Sequence, residues 1–71
     1  MLLSDAKVNY EGYVKDILGD EKNKQFLMSL GCFKGAKIKL ISILAGTYVI
    51  NIKDSRYALD HKMASSIKLQ D

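Results

Sequence analysis

The sequence predicts a mainly β domain: a small, strongly bent antiparallel barrel of about five strands, with one short helix inserted at about residues 21–30. Three observations predict it. After Gly31 the apolar residues alternate with polar ones at period two, the pattern of half-buried strands. A convincing helical period occurs only once, between Asp20 and Gly31. Finally, 71 residues leave room for a single domain, residues 1–71, because a typical domain takes roughly 100–200 residues.

The first strand runs from about Gly12 to Leu18, where Tyr13, Val14, Ile17 and Leu18 supply β-branched and aromatic side chains. Gly19-Asp20 is a turn signal, and Asp20 is a good N-cap, with Glu21 in the first turn where the helix dipole favours an acid. Phe26, Leu27 and Leu30 repeat at helical spacing, and Gly31 stands where a left-handed C-cap residue belongs. So short a helix is stable only if that apolar stripe docks on the sheet.

In the second strand, Ala36, Ile38 and Leu40 alternate with Lys37 and Lys39. The pattern then becomes continuously apolar through Ile41, Ile43 and Leu44, as if the strand bends from a one-sided to a two-sided environment. Ala45-Gly46 is a turn, residues 47–53 are the antiparallel return strand, and Asp54-Ser55 is a second tight turn. Arg56 to Leu59 form a short strand, Asp60 caps one helical turn at 61–64, and Ile67-Lys68-Leu69 is the last strand. Closing this sheet on itself is how such a protein hides its edges.

Composition excludes several classes. Apolar residues are 48% of the chain, too many for a disordered tail. The richest apolar stretch, residues 38–52, is broken by Lys39, Ser42, Gly46, Thr47 and Asn51 and falls short of the roughly 20 residues of a membrane helix. The opening Met1-Leu2-Leu3-Ser4-Asp5 has neither a basic region nor an apolar core of signal length, and one cysteine forms no internal disulfide. The expectation is a cytoplasmic domain without direct membrane insertion.

The net charge of +3 hides an asymmetry: residues 1–31 carry four lysines against five acids, and residues 32–71 carry seven basic residues against three acids. A basic balance suits nucleic acid, but the single arginine, Arg56, and the scatter of lysines along strands favour a solvated basic face. No nucleic-acid partner is expected.

Catalytic patterns are missing. The chain has no His-Glu-x-x-His pair, no phosphate-cradling glycine loop, and no serine or cysteine in an activating context. Cys32 follows the helix C-terminus, where the dipole disfavours a thiolate, and reads as a small buried hydrophobe. His61 and Cys32 are the weak metal candidates; two residues fall short of the four ligands of a closed zinc site unless chains in a homo-oligomer pool them. Tyr10, Tyr13, Phe33, Tyr48 and Tyr57 all lie outside the helix and read as half-buried on a small barrel, or as interface residues.

The linear order resembles the FeoA family, small cytoplasmic partners of the bacterial ferrous iron permease FeoB. The matching pieces are Leu3-Ser4-Asp5, Gly12-Tyr13-Val14, Gly19-Asp20 and residues 26–35 (FLMSLGCFKG), followed by Ile38-Lys39-Leu40-Ile41. Tyr57-Ala58-Leu59 and residues 63–69 (MASSIKL) are similar to the family's ending. The resemblance implies an SH3-like barrel, related to the C-terminal domains of iron-dependent repressors. It departs from the family pattern in three places: Lys34 stands where proline usually precedes the second glycine, the loop at Ala45-Gly46 is short, and Asp54-Ser55 replaces a common glycine.

What the resemblance implies is a non-enzymatic accessory of ferrous iron uptake that docks on and regulates FeoB, recruited by it to the inner face of the membrane. The expected contact surfaces are the helix-to-strand corner, Cys32, Phe33 and Lys34, and the hairpin near Tyr48. The alternative is a domain that itself binds Fe2+ or another divalent transition metal, as sensor or carrier, through Cys32 and His61.

Overall fold

The computed structural model describes residues 1–70. Its elements are a short 3-10 turn (Leu3–Asp5), β1 (Glu11–Ile17), α1 (Glu21–Ser29), β2 (Lys37–Leu44), β3 (Thr47–Ile52), β4 (Ser55–Leu59), α2 (His61–Ala64) and β5 (Ile67–Leu69). The five strands form one antiparallel sheet in the order β4-β3-β2-β1-β5, so the mainly β architecture stands.

The sheet curls around one core. Leu3, Val14, Leu27, Ile38, Leu40, Ile50, Ile52, Leu59, Ile67 and Leu69 are all buried there. Fully burying each such side chain contributes roughly 1.5–3 kcal/mol. Because side chains alternate along a strand, Ile38 and Leu40 turn inward while Lys37 and Lys39 face out. The register places Ile38 opposite Ile52 and Leu40 opposite Ile50, so β2 and β3 share one apolar inner face.

Helix α1 begins as the sequence predicts: the Asp20 carboxylate accepts the backbone N–H of Asn23 at 2.8 Å. It ends in a Schellman motif. The N–H of Cys32 donates to Leu27 C=O and that of Gly31 to Met28 C=O, both at 3.0 Å, with Gly31 at φ 93°. Only Leu27 of the predicted stripe is fully buried, with Leu30 half-buried against the core; Phe26 is 45% exposed. Adjacent helix positions lie about 100° apart, so one narrow stripe cannot bury both Phe26 and Leu27.

Three expectations change. A bulge between Leu40 and Ser42 bends β2, but the strand then runs beyond the core instead of into a two-sided environment: Ile43 and Leu44 are exposed, Leu44 at 75%. The turn between β3 and β4 is Lys53-Asp54, one residue earlier than expected, closed by the pair Ile52–Ser55, with Lys53 at φ 56°. The sheet also does not close on itself, since β4 and β5 are its two ends. The N-terminal segment, unassigned in the sequence reading, covers one of these: Leu2 bridges Lys68, and the N–H of Leu69 donates to Met1 C=O at 2.7 Å.

Candidate functional site

The corner between α1 and β2 is where structure and sequence expectation meet most closely. The chain leaves the helix through Gly31, and the backbone then turns over Phe33 to Ala36. The N–H of Ala36 donates to Phe33 C=O at 2.9 Å, and Gly35 sits at φ 91°. Left-handed glycine at the third position is the type II arrangement, in which proline favours the second place, held here by Lys34. The N–H of Gly35 also donates to Val14 C=O, at 2.8 Å, tying the turn to β1.

This turn holds Phe33 out of the core. Phe33 is 41% exposed and Met28, on the last turn of α1, 56%. With Ile17, Asp16, Lys24 and Lys34 they line a shallow depression of about 290 Å³. The Nζ of Lys53 lies 5.9 Å from the centre of the Phe33 ring, within reach of a cation–π attraction. The corner is therefore an apolar surface flanked by Lys24, Lys34 and Lys53, with Asp16 as the acid among its lining residues; the Oδ1 of that carboxylate accepts the N–H of Ile17. Exposed apolar side chains rimmed by charge mark interaction surfaces. Lys24 and Met28 were not singled out from the sequence, although their spacing of four already places them on one helix face.

Cys32 and Tyr48 are not part of any exposed surface. Cys32 is fully buried, its backbone bound to the helix end, and burial pushes its thiol up to about 11. It is the small buried hydrophobe that the sequence predicts, and it presents no surface to a partner. Tyr48 is 7% exposed and its hydroxyl donates to Ser4 C=O at 3.4 Å. The reason is register: Tyr48 follows the inward parity of Ile50 and Ile52. The exposed part of that hairpin is instead Ile43 and Leu44. His61 is exposed at the start of α2, its ring 6.0 Å from that of Tyr48.

For a metal, the donor set is poor. A buried thiol held protonated is a weak ligand, because the thiolate is the species that binds. Among the described residues no group of three or more His, Cys, Asp or Glu side chains converges. Asp20 and Asp60 line a groove of about 460 Å³, but each carboxylate already accepts a helix N-terminal N–H, from Asn23 and Met63 respectively. Also among the described residues, no helix is long and apolar enough to cross a membrane.

Solved structures share this fold. An iron uptake regulatory protein, FeoA, superposes with a TM-score of 0.88 at 28% identity, covering 96% of this chain and 90% of that one. The Stenotrophomonas maltophilia FeoA complexed with zinc, described as an SH3 domain protein and proposed as a ferrous iron transport activating factor, gives 0.86 at 17% identity over 99% and 89%. A manganese-dependent transcriptional repressor gives 0.90 at 18% identity, covering 97% of this chain but 40% of the repressor. No protein of curated function matches by sequence. The architecture is thus that of an SH3-like domain, and with the FeoA domain pattern matching residues 1–71 from end to end, the chain belongs to the FeoA family.

Proposed function

We propose that this chain is a non-enzymatic accessory of ferrous iron uptake that docks on the cytoplasmic side of a FeoB-type permease and regulates it. Family membership supplies the iron-transport context. The observation that carries the docking reading is the corner itself: Phe33 and Met28 are exposed, with Lys24, Lys34 and Lys53 around them. Burying Phe33 and Met28 against an apolar partner surface supplies affinity. The lysines steer an acidic rim toward it and set orientation.

Copurification tests the reading. The tagged chain is expressed with FeoB in its own host, and membranes are extracted with and without guanine nucleotide. The expected result is retention of FeoB on the tag. Absence of association under both conditions sinks the proposal.

A further inference from the structure

The two ends of the sheet are treated differently. The outer edge of β5 is covered by Met1 and Leu2. The outer edge of β4 has no such cover: among the described residues no backbone hydrogen bond reaches it from outside the β3–β4 ladder. Its bonding groups follow from the turn. A two-residue turn closed by Ile52 and Ser55 makes that pair hydrogen-bonded, and the pattern alternates from there. Ser55, Tyr57 and Leu59 therefore bond to β3, while the N–H and C=O groups of Arg56 and Ala58 point away from the sheet. Both residues are exposed.

The face beside this edge is basic. Glu11, Lys39, Asn51 and Arg56 stand in one row across four strands, by the pairings Glu11–Lys39, Lys39–Asn51 and Asn51–Arg56. Lys37 and Lys53 flank the row and, with Glu11, Lys39 and Asn51, line a groove of about 240 Å³. Four basic side chains thus face two acids, Glu11 and Asp54. Glu11 lies 3.8 Å from Lys37 in an exposed pair, the kind of contact worth about 0–1 kcal/mol.

We infer that the outer edge of β4 takes an extended acidic segment of a partner protein, added antiparallel as a sixth strand. The four free backbone groups of Arg56 and Ala58 supply affinity, Arg56 selects a carboxylate directly or diagonally opposite it on the incoming strand, and the lysines farther across the sheet add longer-range attraction for an acidic segment. Charge argues against a second copy of this chain: pairing β4 with itself brings two such basic faces edge to edge, with Arg56 directly or diagonally opposite Arg56. The inference rests on the chain acting through protein partners; of the corner residues it involves Lys53 alone, which flanks the row, and neither Phe33 nor Met28.

The test is amide exchange of the full-length, 15N-labelled chain titrated with a blocked peptide of alternating glutamate and valine. In the free protein the amides of Arg56 and Ala58 exchange fast and those of Tyr57 and Leu59 slowly. With the peptide, exchange at Arg56 and Ala58 slows at least about tenfold, and the effect weakens as salt rises. A lysine–valine peptide, and a glutamate peptide N-methylated along its bonding edge, lose that protection, as does Arg56→Glu with the original peptide. Unchanged exchange at Arg56 and Ala58, or equal protection by the lysine peptide, overturns the inference. So does protection that rises with protein concentration alone, which assigns the edge to a second copy. If FeoB copurifies while this titration fails, only the edge assignment falls.

Discussion

The Nδ2 of Asn23 donates to the Oγ of Ser66 at 2.9 Å, joining the first turn of α1 to the residue just before β5 across 43 residues of sequence. The same amide donates to Leu18 C=O at 3.2 Å, and the Ser66 hydroxyl donates onward to Met63 C=O at 2.7 Å. Ser66 is the buried polar residue beside an otherwise apolar core, and this chain of bonds satisfies it. The helix is thereby held in the position that defines the corner. Asn23→Ala removes both side-chain bonds and is expected to cost roughly 1–2 kcal/mol, at about 1 kcal/mol per bond. Urea unfolding checks it: the midpoint falls and the slope stays unchanged.

Cys32 gives a pH dependence. Its thiol is pushed up from 9.0 to about 11 by burial, so the unfolded chain releases that proton first. The stabilisation is complete below about pH 9 and is lost as pH rises from there toward 11. Unfolding free energies of wild type and Cys32→Ala, compared from pH 8 to pH 11, isolate the contribution. The wild type is expected to lose more stability across that window; parallel curves contradict the assignment.

Lys34→Pro is expected to stabilise the chain by about 0.4–1 kcal/mol, because proline presets the φ that the second position of a type II turn requires. Gly31→Ala acts in the other direction. Its φ of 93° disfavours a side chain, and an added Cβ meets Ile52 Cγ2 at 3.4 Å. A loss of roughly 1 kcal/mol or more is expected, with thermal unfolding as the readout for both.

Two positions of β2, one before the bulge and one after it, separate by burial. Leu40→Ala empties a fully buried site and is expected to cost about 2–5 kcal/mol. Leu44→Lys replaces a side chain that is 75% exposed and is expected to stay within about 0.5 kcal/mol of wild type. Denaturant midpoints of the two variants decide whether the bulge at Leu40–Ser42 ends the buried part of the strand.

Most of the fold was legible because its signals are local. Asp20 and Asp60 as caps, Gly31 as the left-handed residue, and the alternation of Ile38 and Leu40 with lysines each fix backbone geometry within a few residues. What was not legible depends on contacts distant in sequence. The run from Ile41 to Leu44 is equally apolar in a core and at a protruding hairpin; only the bulge distinguishes them. Leu3 is fully buried because the N-terminal segment lies along β5, a pairing that no local pattern announces. The candidate site divides in the same way. Phe33 and Lys34 were readable from a turn that ejects them, whereas the burial of Cys32 and Tyr48 is set by the Schellman bond and by strand parity.

The central claim is that the corner at Phe33 docks on the permease. Its most direct measurement is the amount of FeoB retained by tagged wild type, by Phe33→Asp with Lys34→Glu, and by Leu44→Lys, each first shown to unfold at a normal temperature. The account predicts that wild type and Leu44→Lys retain FeoB equally and that the double variant at the corner loses it. Full retention by a folded double variant contradicts it.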